Sequence, residues 1–546
     1  MAAVYTTRTP WRTAAAAFAA LALLAAGLFG LGGSGLLLVL GLVRTDFDAA
    51  ANSLGLLMRV VLFGGLIFAS TFSLWRLRDA GQAIEPRRRQ WGGRDQAALA
   101  LVLALAALAS FPNQNEYPYA APDETHHLLV ARNLSVYGAY ASGHPKTGLN
   151  YFDAYDSVGP TVIAPAALSF RVFGVSLAAG RAVVSLYFLG LLALIYAWIR
   201  RHAGTGPAFA AALGVLMAYS SFYLSRTFYG EVPALFFLVA GLMLWERAES
   251  LRAHLLAGLL LGCCVLSKPI FLIAACCGVV ALLFAWMRGD RMRWGGLACM
   301  AAGIASPVVA WSVVQSLGES ESRSMLGIYQ HYLLFGIAPI AANLTRLAGN
   351  APMGNLLYPL LVLVGGAVLV QRRASPALLT LWLAAPFFAQ WWLAYTPGQL
   401  PRYLWPCYLV AGIAWGVAVA RLQRRVRRDS TKRLAAAAAL VLLCLTPAAW
   451  LSVQVPELAA NRELRPTQAV AGWLNAQPQD TRIATTDYML RGALSLLSGK
   501  AVGGDADAEA LQREYDFVVV PRATLGPEPE VVEVVGSFAI LQGSPE

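Results

Sequence analysis

The sequence predicts an all-α polytopic membrane protein that carries a small α/β domain at its carboxyl end. Of the 546 residues, 58% are hydrophobic and only 13% are charged. The mean hydropathy is +0.57, whereas a soluble domain has about a quarter of its residues charged. Apolar runs of about 17 to 25 residues recur along most of the chain, and each can cross a hydrocarbon core about 30 Å thick.

About thirteen apolar runs are predicted to span the membrane as helices. The first follows Arg8 and Arg12 and lacks a small-residue cleavage site, so it is interpreted as an uncleaved span rather than a signal peptide. The stretch 36–43 is a candidate re-entrant or interfacial segment. The predicted spans are 14–31, 54–75, 95–111, 179–199, 206–224, 230–247, 254–267, 269–287, 294–316, 355–371, 376–394, 403–420 and 434–452.

The arginines predict which side of the membrane each loop occupies. With the N-terminus in the cytoplasm, the short basic clusters between spans fall inside, as the positive-inside rule requires. This arrangement predicts a multi-pass membrane protein whose N-terminus is cytoplasmic and whose carboxyl end is on the outer side. It also accounts for the net charge of +12 without a nucleic-acid partner, because the basic residues form neither a nucleic-acid motif nor one basic face.

The same orientation divides the chain into three parts. Residues 1–90 are predicted to hold helices outside the core. Residues 91–453 form a transmembrane core with a large first outer loop at 112–178. Residues 454–546 form an outward-facing α/β domain, with helices predicted near 467–475 and 506–513 and strands at 482–485, 516–520 and 538–541.

The first outer loop contains an acidic pair within "PDETHHLLVARNLSVYGAYASG". Asp123 follows Pro122 and precedes a helical pattern that ends at Gly138. One interpretation is that Asp123 caps this helix and Glu124 complements the helix dipole. The other is that an aspartate in a partly dry cleft accepts a proton from an acceptor hydroxyl, as a general base must. Both interpretations can hold for the same residue.

An ordered set of motifs resembles the GT-C glycosyltransferases, and more specifically the bacterial branch of the protein O-mannosyltransferase family. This branch includes aminoarabinose and arabinofuranosyl transferases and enzymes that add sugars to lipopolysaccharide core. The resemblance covers residues 95–452. It is carried by the loop quoted above and by "SRTFYGEVPALFFLVAGLMLWERA", "LLAGLLLGCCVLSKPIFLIAACCG" and "QLPRYLWPCYLVAGIAWG".

The resemblance implies inverting transfer of a sugar from a polyprenyl-phosphate donor, with Asp123 as the base. Glu124 would then hold hydroxyls of the donor or acceptor. One departure concerns Ser157, because many close members have a lysine at the matching position, which puts aminoarabinose specificity in doubt.

A departing phosphate requires cations or N–H donors near the outer face. Arg402 is the first choice, because its guanidinium can bind a phosphate bidentately. Lys268 is the second choice, although an interfacial lysine that snorkels would look the same. Lys146 is a third candidate.

Four further residues are expected to contact substrate. Glu231 begins an outward-edge helix five residues after Arg226, and its alternative explanation is a carboxylate favoured by the helix dipole. The remaining two are Tyr403, in the R-Y-L-x-P motif, and Asp156, in the outer loop.

No cofactor and no metal are expected. His126 and His127 invite a metal site, but adjacent helical positions project about 100° apart, so both ring systems cannot easily bind one ion. Some GT-C enzymes use a divalent cation, and the branch that this chain resembles generally does not.

The sequence therefore predicts a membrane glycosyltransferase. Its expected partners are a polyprenyl-phosphate-linked sugar, the lipid bilayer and an envelope glycan, glycolipid or protein acceptor. The alternatives are a carrier or flippase for lipid-linked sugars and a non-catalytic envelope assembly protein. Charges at span ends rather than at mid-membrane favour the enzyme over the carrier.

Overall fold

The computed structural model describes most of the transmembrane core and much of the C-terminal part of the chain. The described residues are 91–146, 148–152, 157–217, 219–287, 293–316, 375–394, 402, 405–407, 409–410, 412–413, 464–504, 508–522, 531–535 and 537–542. The predicted spans 14–31, 54–75, 355–371 and 434–452, and most of 403–420, lie outside these residues.

Apolar helices make up the first part of the described chain. They are α1 (Gly93–Ser110), α2 (Pro122–Tyr137), α3 (Pro160–Phe173), α4 (Leu177–Ala203), α5 (Thr205–Leu216), α6 (Tyr219–Leu224), α7 (Glu231–Glu246), α8 (Leu251–Ser267), α9 (Leu272–Met287), α10 (Trp294–Ser316) and α11 (Pro376–Ala394). A 3₁₀ turn, Pro269–Phe271, joins α8 to α9.

Three helices in the described ranges are long and apolar enough to cross a membrane: α1, α4 and α10. They have 18, 27 and 23 residues, and they coincide with predicted spans. The predicted span 206–224 is instead divided between α5 and α6. Ser221 lies in α6 and its hydroxyl donates to the carbonyl of Val215 at 2.5 Å, which illustrates how serine bonds compete with a continuous helical ladder.

Glycines allow α8 and α10 to pack closely. A Cβ atom on Gly258 would collide with the carbonyl oxygen of Met300, and one on Gly262 would meet the ring of Pro307. Because Gly258 and Gly262 are four residues apart, they lie on one face of α8. This is the small-residue spacing that lets transmembrane helices approach each other, and it explains the G-x-x-x-G part of the sequence motif.

The first outer loop contains more helices and strands than the sequence predicted. Helix α2 begins with Pro122 and ends before Gly138, whose φ of 70° gives a left-handed cap. The hairpin of β1 (Ala141–His144) and β2 (Gly148–Tyr151) follows, and then α3, which was not predicted. Asp123 is not the N-cap of α2, because Ala121 occupies that position.

The C-terminal part contains three helices and a five-stranded sheet in the order β4-β3-β5-β7-β6. Strands β3, β4 and β5 are parallel, and β7 joins β5 and β6 in antiparallel pairs. Where the sequence predicts a helix at 467–475, the structure has one at Arg465–Ala476. The elements are α12 (Arg465–Ala476), β3 (Ile483–Thr485), α13 (Tyr488–Ser498), β4 (Val502–Gly504), α14 (Ala508–Glu514), β5 (Phe517–Pro521), β6 (Val531–Val535) and β7 (Phe538–Gln542).

Helix α13 packs against α2 of the outer loop. Gly492 lies against the side chain of Thr125, where a Cβ atom would not fit. Arg132, further along α2, donates to the carbonyl of Gly499, which follows α13, at 3.3 Å. The C-terminal part therefore covers the side of α2 that follows the acidic pair.

Candidate active site

Two loops meet the end of α8 because glycine removes the side chains that would separate them. A Cβ atom on Gly159, just before α3, would collide with the carbonyl oxygen of Leu266. A Cβ atom on Gly230, just before α7, would collide with that of Ser267. Both loops are thereby held beside Lys268, the residue that follows α8.

Arg402 connects the outer-loop aspartate to this junction. Its Nη2 donates to Asp123 Oδ2 at 2.9 Å, and its Nε lies 3.7 Å from Glu231 Oε1. The guanidinium carbon is 5.0 Å from the centre of the Tyr229 ring. The side chain of Arg402 is 10% exposed and that of Asp123 is 53% exposed. Asp123 is therefore the solvent-facing partner of an arginine that is otherwise covered.

Lys268 and Glu231 form the covered part of the same cluster. Lys268 Nζ lies 3.9 Å from Glu231 Oε1, and both side chains are only 1% exposed. The same Nζ donates to Ser157 Oγ at 2.8 Å. Isolated charges at this depth would be costly, so the lysine and the glutamate stabilise each other. Glu231 lies between Lys268 and Arg402 and is in ion-pair range of both.

Both carboxylate oxygens of Glu231 lack a hydrogen-bond partner among the described residues. A carboxylate can accept about four hydrogen bonds. The two cations balance the charge of Glu231 but leave these acceptor positions open. Glu231 is therefore equipped to accept hydrogen bonds from hydroxyl groups.

The charges of the cluster lower the basicity of Asp123. Burial alone opposes ionisation of the carboxyl group, but the positive charges of Arg402 and Lys268 outweigh it, and the pKa of Asp123 falls to about 2. A general base works best with a pKa near the operating pH. Paired with Arg402, Asp123 is thus a weak base.

Glu124, which the resemblance assigns to hydroxyls of the donor or acceptor, has its contacts within the protein. Arg181 donates to both of its carboxylate oxygens at 2.8 Å, and the backbone N–H of Phe228 donates to Oε1 at 2.7 Å. The side chains of Glu124 and Arg181 are 0% exposed. Adjacent helical residues project about 100° apart, so Glu124 points into the protein while Asp123 points toward solvent. Its contacts are structural.

Arg226 also has a structural place rather than the expected contact with substrate. It is fully buried, and it donates to the backbone carbonyls of Ala109, Pro112 and Tyr117. These carbonyls belong to the end of α1 and the chain that follows it. Arg226 therefore satisfies the last acceptors of a helix and holds the outer loop in position.

Lys146 lies in the turn between β1 and β2 and contacts the C-terminal part. Its Nζ donates to the carbonyl of Gln479 at 2.6 Å. The expected contact of Lys146 with the donor phosphate finds no support in this position, because none of its described contacts is with Asp123, Arg402 or Lys268. Asp156 and Tyr403, which were also predicted to bind substrate, lie outside the described residues.

Three site residues were missed by the sequence analysis. Ser157 accepts from Lys268, and its Oγ lies 3.4 Å from His127 Nε2. Tyr229 faces the guanidinium of Arg402. The adjacent histidines drew attention to His127 only as a metal ligand. In the described part of the chain, no group of three or more His, Cys, Asp and Glu residues could hold a metal ion.

Comparisons with known proteins give this geometry a family context. Residues 157–311 match the family of dolichyl-phosphate-mannose-protein mannosyltransferases. The fold is similar to that of ArnT from Cupriavidus metallidurans, solved with undecaprenyl phosphate bound and in the apo state. In both cases the TM-score is 0.57, the identity is 15% and 83% of this chain is covered, with 100% and 99% of ArnT.

A second fold match is the archaeal oligosaccharyltransferase AglB from Archaeoglobus fulgidus, solved with an inhibitory peptide and a dolichol-phosphate. The TM-score is 0.51 at 10% identity, over 78% of this chain and 69% of AglB. No curated protein matches the sequence significantly.

Residues 157–311 are thus similar to a family of mannosyltransferases, and the fold is similar to that of ArnT and AglB. The resemblance inferred from the sequence is confirmed. The segment that matches the mannosyltransferase family begins at Ser157 and includes Glu231 and Lys268. Asp123 and Arg402 lie outside the matched segment, and the fold brings them to it.

Proposed function

We propose that this protein transfers a sugar from a polyprenyl-phosphate-linked donor to an envelope glycan, glycolipid or protein on the outer face of the bacterial inner membrane. The observation that carries the proposal is the four-residue cluster of Asp123, Arg402, Glu231 and Lys268. It combines a half-exposed carboxylate, two covered cations and a carboxylate with open acceptor positions. These are the groups that inverting sugar transfer from a lipid phosphate requires.

In this proposal the donor phosphate binds against Lys268 and Arg402, on the side of the two cations away from Glu231. Both cations are already held in place, Lys268 by Ser157 and Arg402 by the ring of Tyr229. A guanidinium can bind two phosphate oxygens at once, and pre-positioned cations stabilise the charge that develops in the transition state. Glu231 accepts hydrogen bonds from hydroxyls of the donor sugar.

Phosphate binding then activates the base. The guanidinium of Arg402 cannot bind both Asp123 and the phosphate bidentately. The incoming phosphate therefore replaces Asp123 as the partner of Arg402. The pKa of Asp123 rises from its low value as the pairing cation is withdrawn. The base therefore gains proton affinity only when the donor is in place.

The transfer step follows from this arrangement. The acceptor oxygen attacks the anomeric carbon from the face opposite the phosphate, and its proton passes to Asp123. The bond between the anomeric carbon and the phosphate oxygen breaks, and its electron pair stays on that oxygen. The products are an inverted glycoside and polyprenyl phosphate, whose added negative charge lies against Lys268 and Arg402.

The proposed topology has thirteen membrane spans, a cytoplasmic N-terminus and an outward site. Arg200, in the last turn of α4, pairs with Asp95 near the start of α1 at 2.7 Å, and Arg201 follows it. These basic residues lie at the helix ends opposite to Glu231, which begins α7. The positive-inside rule then assigns the Glu231 ends to the outer face. The division at residues 90 and 453, with an outward C-terminal domain, belongs to the same proposal.

In-vitro transfer tests the proposed reaction directly. Purified full-length protein is given polyprenyl-phosphoryl sugars and an envelope extract as acceptor, and Asp123→Asn is compared with wild type. We expect polyprenyl phosphate release with wild type and almost none with the variant. Equal release by the two proteins would exclude Asp123 as the base, and absence of release with every donor would exclude the donor class.

A further inference from the structure

His127 lies one helical turn after Asp123 and is 1% exposed. Its Nε2 is 3.4 Å from Ser157 Oγ, while its Nδ1 is buried and has no hydrogen-bond partner among the described residues. A buried polar atom without a partner is uncommon, and it requires an explanation.

The contacts around Ser157 determine which nitrogen of His127 carries a proton. Lys268 has only protons to give, so Ser157 Oγ accepts at 2.8 Å. The hydroxyl proton of Ser157 is then free to donate, and the acceptor within reach is His127 Nε2. Burial and the positive charge of Lys268 hold the pKa of His127 well below its ordinary value. A neutral imidazole that accepts from Ser157 at Nε2 carries its proton on Nδ1.

The Nδ1–H group is consequently a donor for which the described residues offer no acceptor. An N–H group can donate to any oxygen acceptor, and its bond is stronger when the acceptor is charged. The non-bridging oxygens of a lipid-linked phosphate are charged and can only accept. Sugar hydroxyls are matched better by Glu231, whose open positions can only accept. His127 is also joined to Lys268 through Ser157, on the side of the cluster where the phosphate is proposed to bind.

We propose that His127 donates its Nδ1–H to a non-bridging phosphate oxygen of the lipid-linked donor, as a third phosphate ligand beside Lys268 and Arg402. Ser157 is the positioning residue that sets the tautomer of His127 and orients Lys268. This inference rests on the proposed function, because it requires the phosphate to bind against the two cations.

Binding of polyprenyl phosphate, without a sugar, to the purified full-length protein tests the inference. His127→Phe keeps the ring shape and removes both nitrogens, so we expect affinity to fall about tenfold, as for loss of one hydrogen bond to a charged group. In His127→Asn the amide nitrogen can take the place of Nδ1, and we expect most of the affinity to return. Ser157→Ala should weaken binding severalfold.

His126→Phe is the matched control, since it makes the same replacement on the neighbouring, partly exposed histidine and should leave affinity unchanged. The thermal unfolding temperature of each variant is measured alongside, and Ser157→Ala carries the test if His127→Phe does not fold.

Two results would overturn the role of His127. One is wild-type affinity in His127→Phe. The other is equal weakness in His127→Phe and His127→Asn, which would indicate packing alone. A loss confined to the KM of a sugar-bearing donor would likewise exclude the phosphate contact. Failure of the proposed function looks different: wild type would not bind polyprenyl phosphate, or Arg402→Gln would bind it as well as wild type.

Discussion

Asp123 and Glu124 are neighbours on α2, and each faces an arginine. The Glu124–Arg181 pair is fully buried, with both carboxylate oxygens bonded and a further bond from a backbone N–H. The Asp123–Arg402 pair has one bond at 2.9 Å, and its carboxylate is 53% exposed. The first pair holds the outer loop to α4, whereas the second can exchange partners. Of two adjacent acidic residues, one is therefore suited to stabilising the fold and the other to contacting a substrate.

The largest effect on activity is expected from Asp123. Replacement with Asn keeps the shape and removes the proton acceptor, so kcat should fall by about 10² to 10⁴, the usual contribution of a general base. The thermal unfolding temperature should stay close to that of wild type, because Asp123 is half exposed. Steady-state transfer assays and thermal unfolding in detergent measure the two quantities. A variant that loses stability along with activity would make Asp123 a structural residue.

Glu124→Gln should show the opposite pattern. It leaves the buried charge of Arg181 without its partner, which typically costs about 3 to 5 kcal/mol of stability. Less folded protein is expected, with kcat per folded molecule little changed. Arg181→Met in the same chain removes the unpaired charge and should recover part of the stability. If Glu124→Gln folded normally and lost turnover, Glu124 would belong to the catalytic pair.

Arg402→Gln should change the pH dependence of transfer. Arg402 is a main cause of the low pKa of Asp123, and burial acts in the opposite direction, so its removal raises that pKa. A base must be deprotonated to act, and the acid limb of kcat/KM should therefore move to higher pH in the variant. Residual transfer measured from about pH 4 to pH 8 tests this shift. Arg402→Lys retains the charge and should shift less. Superimposable acid limbs would contradict the pairing.

The smallest effect is expected at Lys146. Its Nζ contacts only a backbone carbonyl of the C-terminal part, Gln479, in the described contacts. Lys146→Gln should change stability by about 0.5 kcal/mol or less, as for other surface substitutions, and leave polyprenyl phosphate affinity unchanged. Lys268→Gln is the comparison, because it should weaken that affinity strongly. A large loss with Lys146→Gln would return Lys146 to the phosphate site.

Local patterns account for what could be predicted. Apolar runs predicted α1, α4 and α10 because span length and hydrophobicity are properties of a short stretch. Gly138 predicted the end of α2 for the same reason, since it acts on the backbone at its own position, whereas α2 begins before the expected cap at Asp123. The choice of Asp123 came from the family resemblance, and Arg402 and Lys268 were chosen as cations near the outer face. The structure brings these three side chains together around Glu231.

The features that the sequence did not predict depend on contacts between residues far apart in the chain. Glu124 and Arg226 carry charges that suggest chemistry, but their partners are Arg181 and carbonyls near the end of α1. Which face of a polar helix such as α2 is buried depends on the elements that pack against it. Hydrophobic periodicity does not identify those elements. Ser157 was noted only for the absence of a lysine, and its place between Lys268 and His127 appears only in the folded chain.

The affinity of polyprenyl phosphate for Asp123→Asn, compared with wild type, tests the exchange of Arg402 most directly. Asp123 competes with the phosphate for one guanidinium, and an exposed ion pair is worth about 0.2 to 1 kcal/mol. The account predicts that the inactive variant binds polyprenyl phosphate more tightly, by up to about fivefold. Unchanged or weaker binding by Asp123→Asn would contradict it.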